Sequence, residues 1–153
     1  MIFLGVDPAK VSGLCLLQDL HPPETELVKD LLSASGARLL QAVDLLLKSQ
    51  SHLKITACIE RPPRGLPGGP EVVFASCRWE HHLRGRWPRR LRIITPRPNQ
   101  WQTILHGTLG QGKDRSLNYA RAAGLETDDH NLSDAFCIAS FARQDWEMSV
   151  ANK

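Results

Sequence analysis

Three acidic side chains stand at points where a sheet-based fold can bring them together. Asp7 follows the apolar run 2–6, Glu60 follows the apolar run 55–59, and Asp134 lies in a helical pattern farther along the chain. Clustered carboxylates repel one another unless cations neutralise them, and hard oxygen ligands suit Mg²⁺ or Mn²⁺. Two such ions about 4 Å apart would activate a water and stabilise the leaving oxygen of a phosphodiester. The three residues therefore indicate metal-dependent phosphodiester hydrolysis.

Each of these residues also has a purely structural interpretation. An Asp at a strand end is often a turn or cap residue, and Asp134 near a helix N-terminus would be favoured by the helix dipole. For any one residue alone the two interpretations are equally good. The functional one depends on all three occurring together.

The hydrophobic pattern predicts the elements that must position these residues. Apolar, β-prone runs predict strands at 2–6, 12–20, 27–32, 55–59 and 91–94. Apolar residues at helical spacing predict helices over 39–47, 71–86, around Trp101, 114–123 and 131–146. Asp114 is expected to cap its helix and Gly124 to end it. The order βββαβαβααα, without repeats, predicts a single α/β domain over 1–153.

The most basic part of the chain runs from Arg61 to Arg97. It holds nine arginines against Glu71 and Glu80, a local charge of +7 in a chain whose net charge is +3. Arginine binds phosphate oxygens bidentately and keeps its charge, so the segment predicts phosphate contacts. The alternative is a solvated helix face in a slightly basic protein. The nine are Arg61, Arg64, Arg78, Arg84, Arg86, Arg89, Arg90, Arg92 and Arg97.

The cysteines and the first residues bear on the compartment. Cys15, Cys58, Cys77 and Cys137 show neither zinc-ligand spacing nor a disulfide framework, and are expected to be buried thiols in a reducing compartment. The apolar start at 2–6 is too short for a signal peptide or a membrane span. A cytoplasmic protein without membrane contact is therefore expected.

Three sequence motifs sharpen this interpretation when they are taken together. They are Gly-Val-Asp-Pro-Ala-Lys-Val-Ser-Gly at 5–13, Cys-Ile-Glu at 58–60, and Asp-His-Asn-Leu-Ser-Asp-Ala at 129–135. In this order and spacing they resemble the RuvC-type Holliday junction resolvases of the ribonuclease H superfamily, particularly the compact phage versions. The resemblance spans 2–143, although only the three motifs are specific.

The resemblance implies a fold, a ligand set and an activity. The fold is ribonuclease H-like, with antiparallel first strands and later parallel strands in one mixed sheet flanked by helices. The metal ligands are Asp7, Glu60 and Asp134, holding two Mg²⁺ ions that Mn²⁺ can replace, without a small-molecule cofactor. Such enzymes act as homodimers and make paired nicks of like polarity across a four-way junction, leaving 5′-phosphate and 3′-hydroxyl ends. A phage-encoded member would work in the host cytoplasm.

One position departs from the pattern of that family. Three residues before the helix Asp, its members carry Asp or His, whereas this chain has Asn131, preceded by His130. Offsets of three and four return to nearly the same helix face, so both residues lie within reach of Asp134. His130 would bind a metal or handle the attacking water's proton. A non-catalytic residue at the helix start is the alternative, and the identity of the fourth ligand stays open.

The resemblance also suggests residues that contact DNA. Arg61 and Arg64 follow Glu60 into a loop that enters the junction centre in the family, and Lys113 resembles a basic residue used on backbone phosphates, with Arg115 beside it. Aromatic side chains supply a further possibility, since rings stack on bases. Trp79, Trp87 and Trp101 are candidates, although Trp79 on an apolar helix face is more often core.

Symmetric cleavage needs two active sites, and a twofold homodimer is their simplest source. The helix segment from Val72 to Leu83, with Val73, Phe74 and Trp79, exceeds one apolar stripe and is the candidate interface.

Three other functions compete with junction resolution. The first motif also opens actin-like sugar kinases and ATPases, which need a second such hairpin and far more chain. A junction-binding module without activity would keep the fold, but all three carboxylates are intact here. A related nuclease for flaps, replication forks or RNA–DNA hybrids would share the carboxylate chemistry, because substrate choice depends on dimer geometry and loops.

Overall fold

The computed structural model describes residues 1–18, 21–29, 37–62 and 69–152. Its strands are β1 (Ile2–Asp7), β2 (Ser12–Gln18), β3 (Glu24–Val28), β4 (Ile55–Ile59) and β5 (Leu91–Ile94). Its helices are α1 (Arg38–Ser49), α2 (Gly69–Arg86), α3 (Pro98–Trp101), α4 (Asp114–Ala122) and α5 (His130–Ala151), and a 3-10 turn covers Gln102–Leu105. The order of these elements is the one that the sequence predicts.

The strands form one mixed sheet in the order β3-β2-β1-β4-β5. β1 pairs antiparallel with β2 and parallel with β4, and β4 pairs parallel with β5. Because β1 and β4 run in the same direction, their carboxyl ends meet at one edge of the sheet. The register pairs Val6 with Ile59. Asp7 and Glu60, which come directly after these two residues, therefore lie side by side at that edge. We call it the carboxylate edge.

The sheet separates two layers of apolar side chains. One layer packs α1 and α2 against the sheet, through residues such as Leu40, Val43 and Leu83. The other packs α5 and the segment around Trp101 against the opposite face, through residues such as Phe3 and Ile138. β1 and β4 are buried on both faces, as expected for central strands that read as continuous apolar runs.

Two glycines allow α5 to lie very close to the sheet. A Cβ at Gly5 would overlap the backbone carbonyl of Ala135, and a Cβ at Gly13 would overlap that of Asn131. Only a residue without a side chain fits where two backbones approach in this way. The glycines of the first motif thus set how near α5 comes to β1 and β2.

Several predicted boundaries need correction. β3 covers Glu24–Val28 rather than 27–32, of which 30–32 lie outside the described residues. β2 covers Ser12–Gln18, and residues 19–20 of the predicted strand also lie outside the described residues. Pairing with β2, not β-propensity, places β3, and its Glu26 carboxylate accepts hydrogen bonds from the backbone N–H groups of Arg38 and Leu39 at 3.0 and 2.9 Å. β3 therefore caps α1.

The helix ends differ as well. α2 already begins at Gly69, and α5 continues to Ala151 rather than ending near Trp146. Asp114 does not cap α4: Lys113 occupies the N-cap position, and Asp114 is the first helical residue, where its charge suits the helix dipole. Gly124 follows α4 with a φ of 86°, as predicted for a residue that ends a helix.

Two expectations about surface and membrane can also be compared with the structure. Cys15, Cys58 and Cys137 are buried thiols as predicted, but Cys77 is exposed on α2 because it lies on the face turned away from the sheet. Across the described residues, no helix combines the length and the apolar character that crossing a membrane requires.

Candidate active site

The carboxylate edge collects the three acidic residues on three elements. Asp7 is the last residue of β1, Glu60 directly follows β4, and Asp134 lies in the second turn of α5. The Glu60 backbone N–H donates to the Val6 carbonyl at 3.1 Å, which continues the pairing of the two strands. The Asn131 side-chain amide donates to the Val11 carbonyl at 3.0 Å and ties the first turn of α5 to the β1–β2 turn.

The three carboxylates affect one another electrostatically. Burial, followed by the charges of Asp134 and Glu60, raises the pKa of Asp7 from 3.8 to about 8, although Lys113 opposes this shift. Burial also raises the pKa of Glu60 and of Asp134, and the charge of Asp134 adds to the shift of Glu60. The charges of Asp134 and Glu60 thus act on Asp7 and that of Asp134 acts on Glu60, which places the three side chains in one partly buried space.

Neighbouring side chains hold two of the three carboxylates. The Trp101 indole N–H donates to Glu60 Oε2 at 2.5 Å, and the Ser116 hydroxyl is hydrogen-bonded to Asp134. Among the described residues, no side chain hydrogen-bonds to Asp7. The sequence analysis considers Trp101 only for stacking on bases, not as a partner of Glu60, and it misses Ser116. Glu60 and Trp101 lie 41 residues apart, and no spacing rule connects an indole to a carboxylate over that interval.

The fold that carries these three carboxylates resembles solved structures. The structure of Thermus thermophilus RuvC in complex with Holliday junction substrate superimposes with a TM-score of 0.65 at 16% identity, covering 97% of this chain and 96% of that one. A second Thermus thermophilus RuvC structure gives a TM-score of 0.58 at 16% identity, covering 97% of both chains. The chain has the RuvC fold. The predicted ribonuclease H-like architecture is thereby confirmed.

Sequence comparison alone does not reveal this likeness. No protein-family model matches the chain, and no curated protein sequence matches it.

The carboxylate edge suits divalent cations by its chemistry. Three partly buried carboxylates are the donors that Mg²⁺ prefers, and a cation would relieve the repulsion between them. Nδ1 of His130 is buried at the same end of α5 and has no hydrogen-bond partner among the described residues. Within the described parts of the chain, however, no group of three or more His, Cys, Asp and Glu side chains is arranged so that it could hold an ion. The donors therefore suit the metal by their chemistry and not by their present geometry.

The structure distinguishes the two candidates for a fourth ligand by what they already contact. Asn131 uses its amide nitrogen on the Val11 carbonyl, which leaves its oxygen as the only possible ligand atom. His130 has a free, buried Nδ1, and its charge acts on Asp134. Asp129, two residues before Asn131, is the N-cap of α5 and accepts from the N–H groups of Asn131 and Leu132 at 2.8 and 3.1 Å.

The predicted DNA-contacting residues occupy different surroundings. Lys113 is exposed at the start of α4, and its charge lowers the pKa of both Asp7 and Asp134, so it lies beside the carboxylate edge. Arg61 is exposed and lines a cavity of about 400 Å³ next to Glu60. Arg115 donates to the Leu105 carbonyl at 2.5 Å and anchors the loop before α4. Arg64 lies outside the described residues.

The arginine-rich segment is not one continuous surface. Arg84 pairs with Glu80, Arg86 with Asp44, and Arg92 with Asp145, at 2.6 to 2.9 Å. Arg89, Arg90 and Arg92 line a cavity of about 570 Å³ together with Lys54. This cavity lies where β1, β4 and β5 begin, about 20 Å from the carboxylate edge at ~3.3 Å per strand residue. Much of the local charge excess is therefore used within the fold or placed far from the carboxylates.

The three tryptophans proposed to stack on bases are core residues. Trp79, Trp87 and Trp101 are all buried, and each donates its indole N–H to a polar side chain: Ser12 at 2.9 Å, Asp44 at 2.7 Å and Glu60 at 2.5 Å. The idea that they stack on bases is wrong, because a buried ring whose N–H is already bonded presents no face to a ligand.

Proposed function

We propose that the protein is a metal-dependent endonuclease that cuts branched DNA, with the four-way junction as its substrate. The convergence of Asp7, Glu60 and Asp134 at one edge of a RuvC-like sheet is the observation that carries this proposal. The RuvC of Thermus thermophilus, which shares the fold, was solved with a Holliday junction substrate.

Asp7, Glu60 and Asp134 would hold Mg²⁺, which Mn²⁺ could replace, with His130 or Asn131 completing the ligand set. Two bound ions would supply an activated water and stabilise the leaving oxygen. The chain's own groups do the rest of the work. Lys113 neutralises charge beside the carboxylates and contacts the backbone phosphate, and Arg61 binds the strand where it passes Glu60.

His130 suits a proton-transfer role better than a purely structural one. Its Nδ1 is buried and unpartnered, so the side chain has a lone pair or an N–H available at the start of α5. An imidazole nitrogen can accept the proton of an attacking water or donate one, which makes histidine a common general acid or base. We assign it this role, which leaves the Asn131 side-chain oxygen to complete the ligand set while its amide nitrogen holds the β1–β2 turn.

The products follow from two sites acting on opposite strands. A single chain brings one carboxylate cluster, so paired nicks of like polarity require a homodimer. Each nick leaves a 5′-phosphate and a 3′-hydroxyl that a ligase can seal.

Cleavage of synthetic DNA tests the proposal. The wild-type protein should cut a four-way junction in Mg²⁺, leave a linear duplex of the same sequence uncut, and stop in EDTA. Asp7→Asn, Glu60→Gln and Asp134→Asn should each abolish cleavage while junction binding persists, because each removes a ligand charge without changing shape. Asp128→Asn is the matched control, since Asp128 is an exposed carboxylate paired with Arg121.

Each alternative function gives a different result in the same assay. Binding of the junction without any cleavage indicates a non-catalytic module. Preferred cleavage of flaps, forks or RNA–DNA hybrids indicates the related nuclease. Full activity in any one of the three carboxylate variants removes that residue from the mechanism.

A further inference from the structure

The Trp101 side chain packs against apolar residues through its ring and donates a hydrogen bond through its indole N–H. It is 2% exposed and packs in the same apolar layer as α5, the helix that carries Asp134. Its indole N–H reaches across to Glu60 Oε2 at 2.5 Å, a short hydrogen bond. One side chain therefore contacts the layer beneath Asp134 and the carboxylate that follows β4.

The backbone around Trp101 is fixed to the same strand end. The Arg61 N–H donates to the Pro96 carbonyl at 2.8 Å, which ties the segment after β5 to the residue after Glu60. The Arg97 backbone N–H donates to the Gln100 side-chain oxygen at 2.8 Å and holds the first turn of α3. The position of the indole is thus set by a rigid support rather than by a loop.

We propose that Trp101 is a positioning residue that presets Glu60 for metal binding. A carboxylate at a strand end can rotate about three side-chain bonds, and an indole N–H is a donor that never titrates. By occupying Oε2, Trp101 leaves Oε1 as the oxygen free to face Asp7 and Asp134. The inference rests on the proposed function, because it assumes that Glu60 is a metal ligand.

The chain contains a closely matched control. Trp87 is 5% exposed, and its indole N–H also donates to a carboxylate, Asp44 Oδ1, at 2.7 Å. This pair lies in the other apolar layer, between α1 and the end of α2. Trp101→Phe and Trp87→Phe therefore remove the same kind of bond from the same kind of buried ring, and only one of the two bonds involves Glu60.

Calorimetric titration of the DNA-free protein with Mn²⁺ separates positioning from simple stabilisation. Losing an orienting partner of a metal ligand weakens metal binding about 10- to 100-fold. We expect Trp101→Phe to show such a loss and Trp87→Phe to bind Mn²⁺ like wild type, while both variants lower the melting temperature in EDTA to a similar extent. Unchanged Mn²⁺ affinity in Trp101→Phe, or equal losses in the two variants, would overturn the proposal.

A second measurement needs no variant and so does not depend on folding of a mutant. In ¹⁵N-labelled wild-type protein, adding Mg²⁺ should move the indole N–H signal of Trp101 and leave that of Trp87 in place. An unmoved Trp101 signal at saturating Mg²⁺ contradicts the inference. If Mn²⁺ binding depends on Trp101 but the wild type does not cut junctions, the proposed function is refuted and the positioning role of Trp101 stands. If the wild type binds no Mn²⁺, the proposed function and the positioning role are both refuted.

Discussion

The backbone of β1 sets the position of Asp7 at the carboxylate edge, since no side chain in the described part of the chain hydrogen-bonds to it. Glu60 and Asp134 each have a hydrogen-bonding neighbour, whereas Asp7 has the raised pKa of about 8 that burial and two nearby carboxylates impose. An ionised Asp7 in this buried position destabilises the metal-free protein, a cost that proteins accept at functional sites. A bound cation would relieve the repulsion between the ionised carboxylates.

Replacing Asp7 by Asn should therefore stabilise the metal-free protein in a pH-dependent way. The folded-state pKa lies above the unfolded value of 3.8, so the associated stability is complete below that value and is lost as pH rises through about 8. In EDTA near pH 9 we expect Asp7→Asn to melt about 2–4 °C above wild type, which corresponds to ~1 kcal/mol at this chain length. Near pH 4 the gap should vanish. A gap of equal size at both pH values contradicts the burial of an ionised Asp7.

Lys113 offers a second test at the scale of one residue. It is exposed beside Asp7 and Asp134, and a phosphate bound there releases about one counterion. Lys113→Ala should weaken junction binding and lower the slope of log K against log salt by about 1. Arg84→Ala is the control, because Arg84 is already paired with Glu80. The same slope in wild type and Lys113→Ala would place the phosphate elsewhere.

At the scale of elements, the contact of α5 with β1 and β2 decides whether a site exists at all. The backbone carbonyl of Ala135 occupies the space that a side chain at position 5 would need. A shift of α5 away from the sheet would carry Asp134 with it, because Asp134 and Ala135 are neighbours on this helix. Packing of this helix and the geometry of the carboxylates are therefore coupled.

Gly5→Ala should be strongly destabilising. The added methyl meets backbone rather than a flexible side chain, and overpacking of this kind costs about 3 kcal/mol or more. Gly85→Ala on α2 is the contrasting change, since nothing lies within 4 Å of its Cβ, and it should stabilise by about 0.5 kcal/mol. Denaturant unfolding of both variants measures the difference. A Gly5→Ala protein as stable as wild type would mean that α5 sits farther from the sheet.

The sequence predicts the elements well where a local pattern decides them. Hydrophobic runs locate β1, β4 and β5, and helical spacing locates α1 and most of α2 and α5. β3 was predicted too late in the chain because its position depends on pairing with β2 and on Glu26 capping α1, neither of which is local. Of the site, the three motif carboxylates can be predicted, whereas Trp101 and Ser116 cannot, since tertiary packing alone brings them to Glu60 and Asp134.

At the scale of the whole molecule, α2 carries apolar side chains that the fold of a single chain does not bury. The predicted interface over 72–83 divides into two parts. Trp79 and Leu83 are core residues, while Val73 and Phe74 are 46% and 64% exposed. Cys77 lies one turn from both and is also exposed, so the three share a face. If the protein dimerises through α2, the interface consists of this face and does not include Trp79 or Leu83.

Phe74→Asp should convert a dimer into a monomer that nicks one strand of a junction instead of two. The buried charge would oppose association, whereas Leu45→Asp, at a position on α1 that is 65% exposed, should leave the dimer intact. Light scattering and the pattern of nicked strands report both effects. In the wild type, a short bismaleimide should link two chains through Cys77, and Cys77→Ser should abolish the link. A Phe74→Asp dimer that still makes paired nicks would move the interface elsewhere.

The hydrogen bond from Asn131 to Val11 spans 120 positions of the chain. During synthesis the β1–β2 hairpin leaves the ribosome long before α5, and residues emerge at about 5–20 per second. For several seconds a nascent chain thus carries Asp7 and then Glu60 without Asp134. Under the proposed function, the chain therefore acquires its cutting centre only in the step that completes its fold.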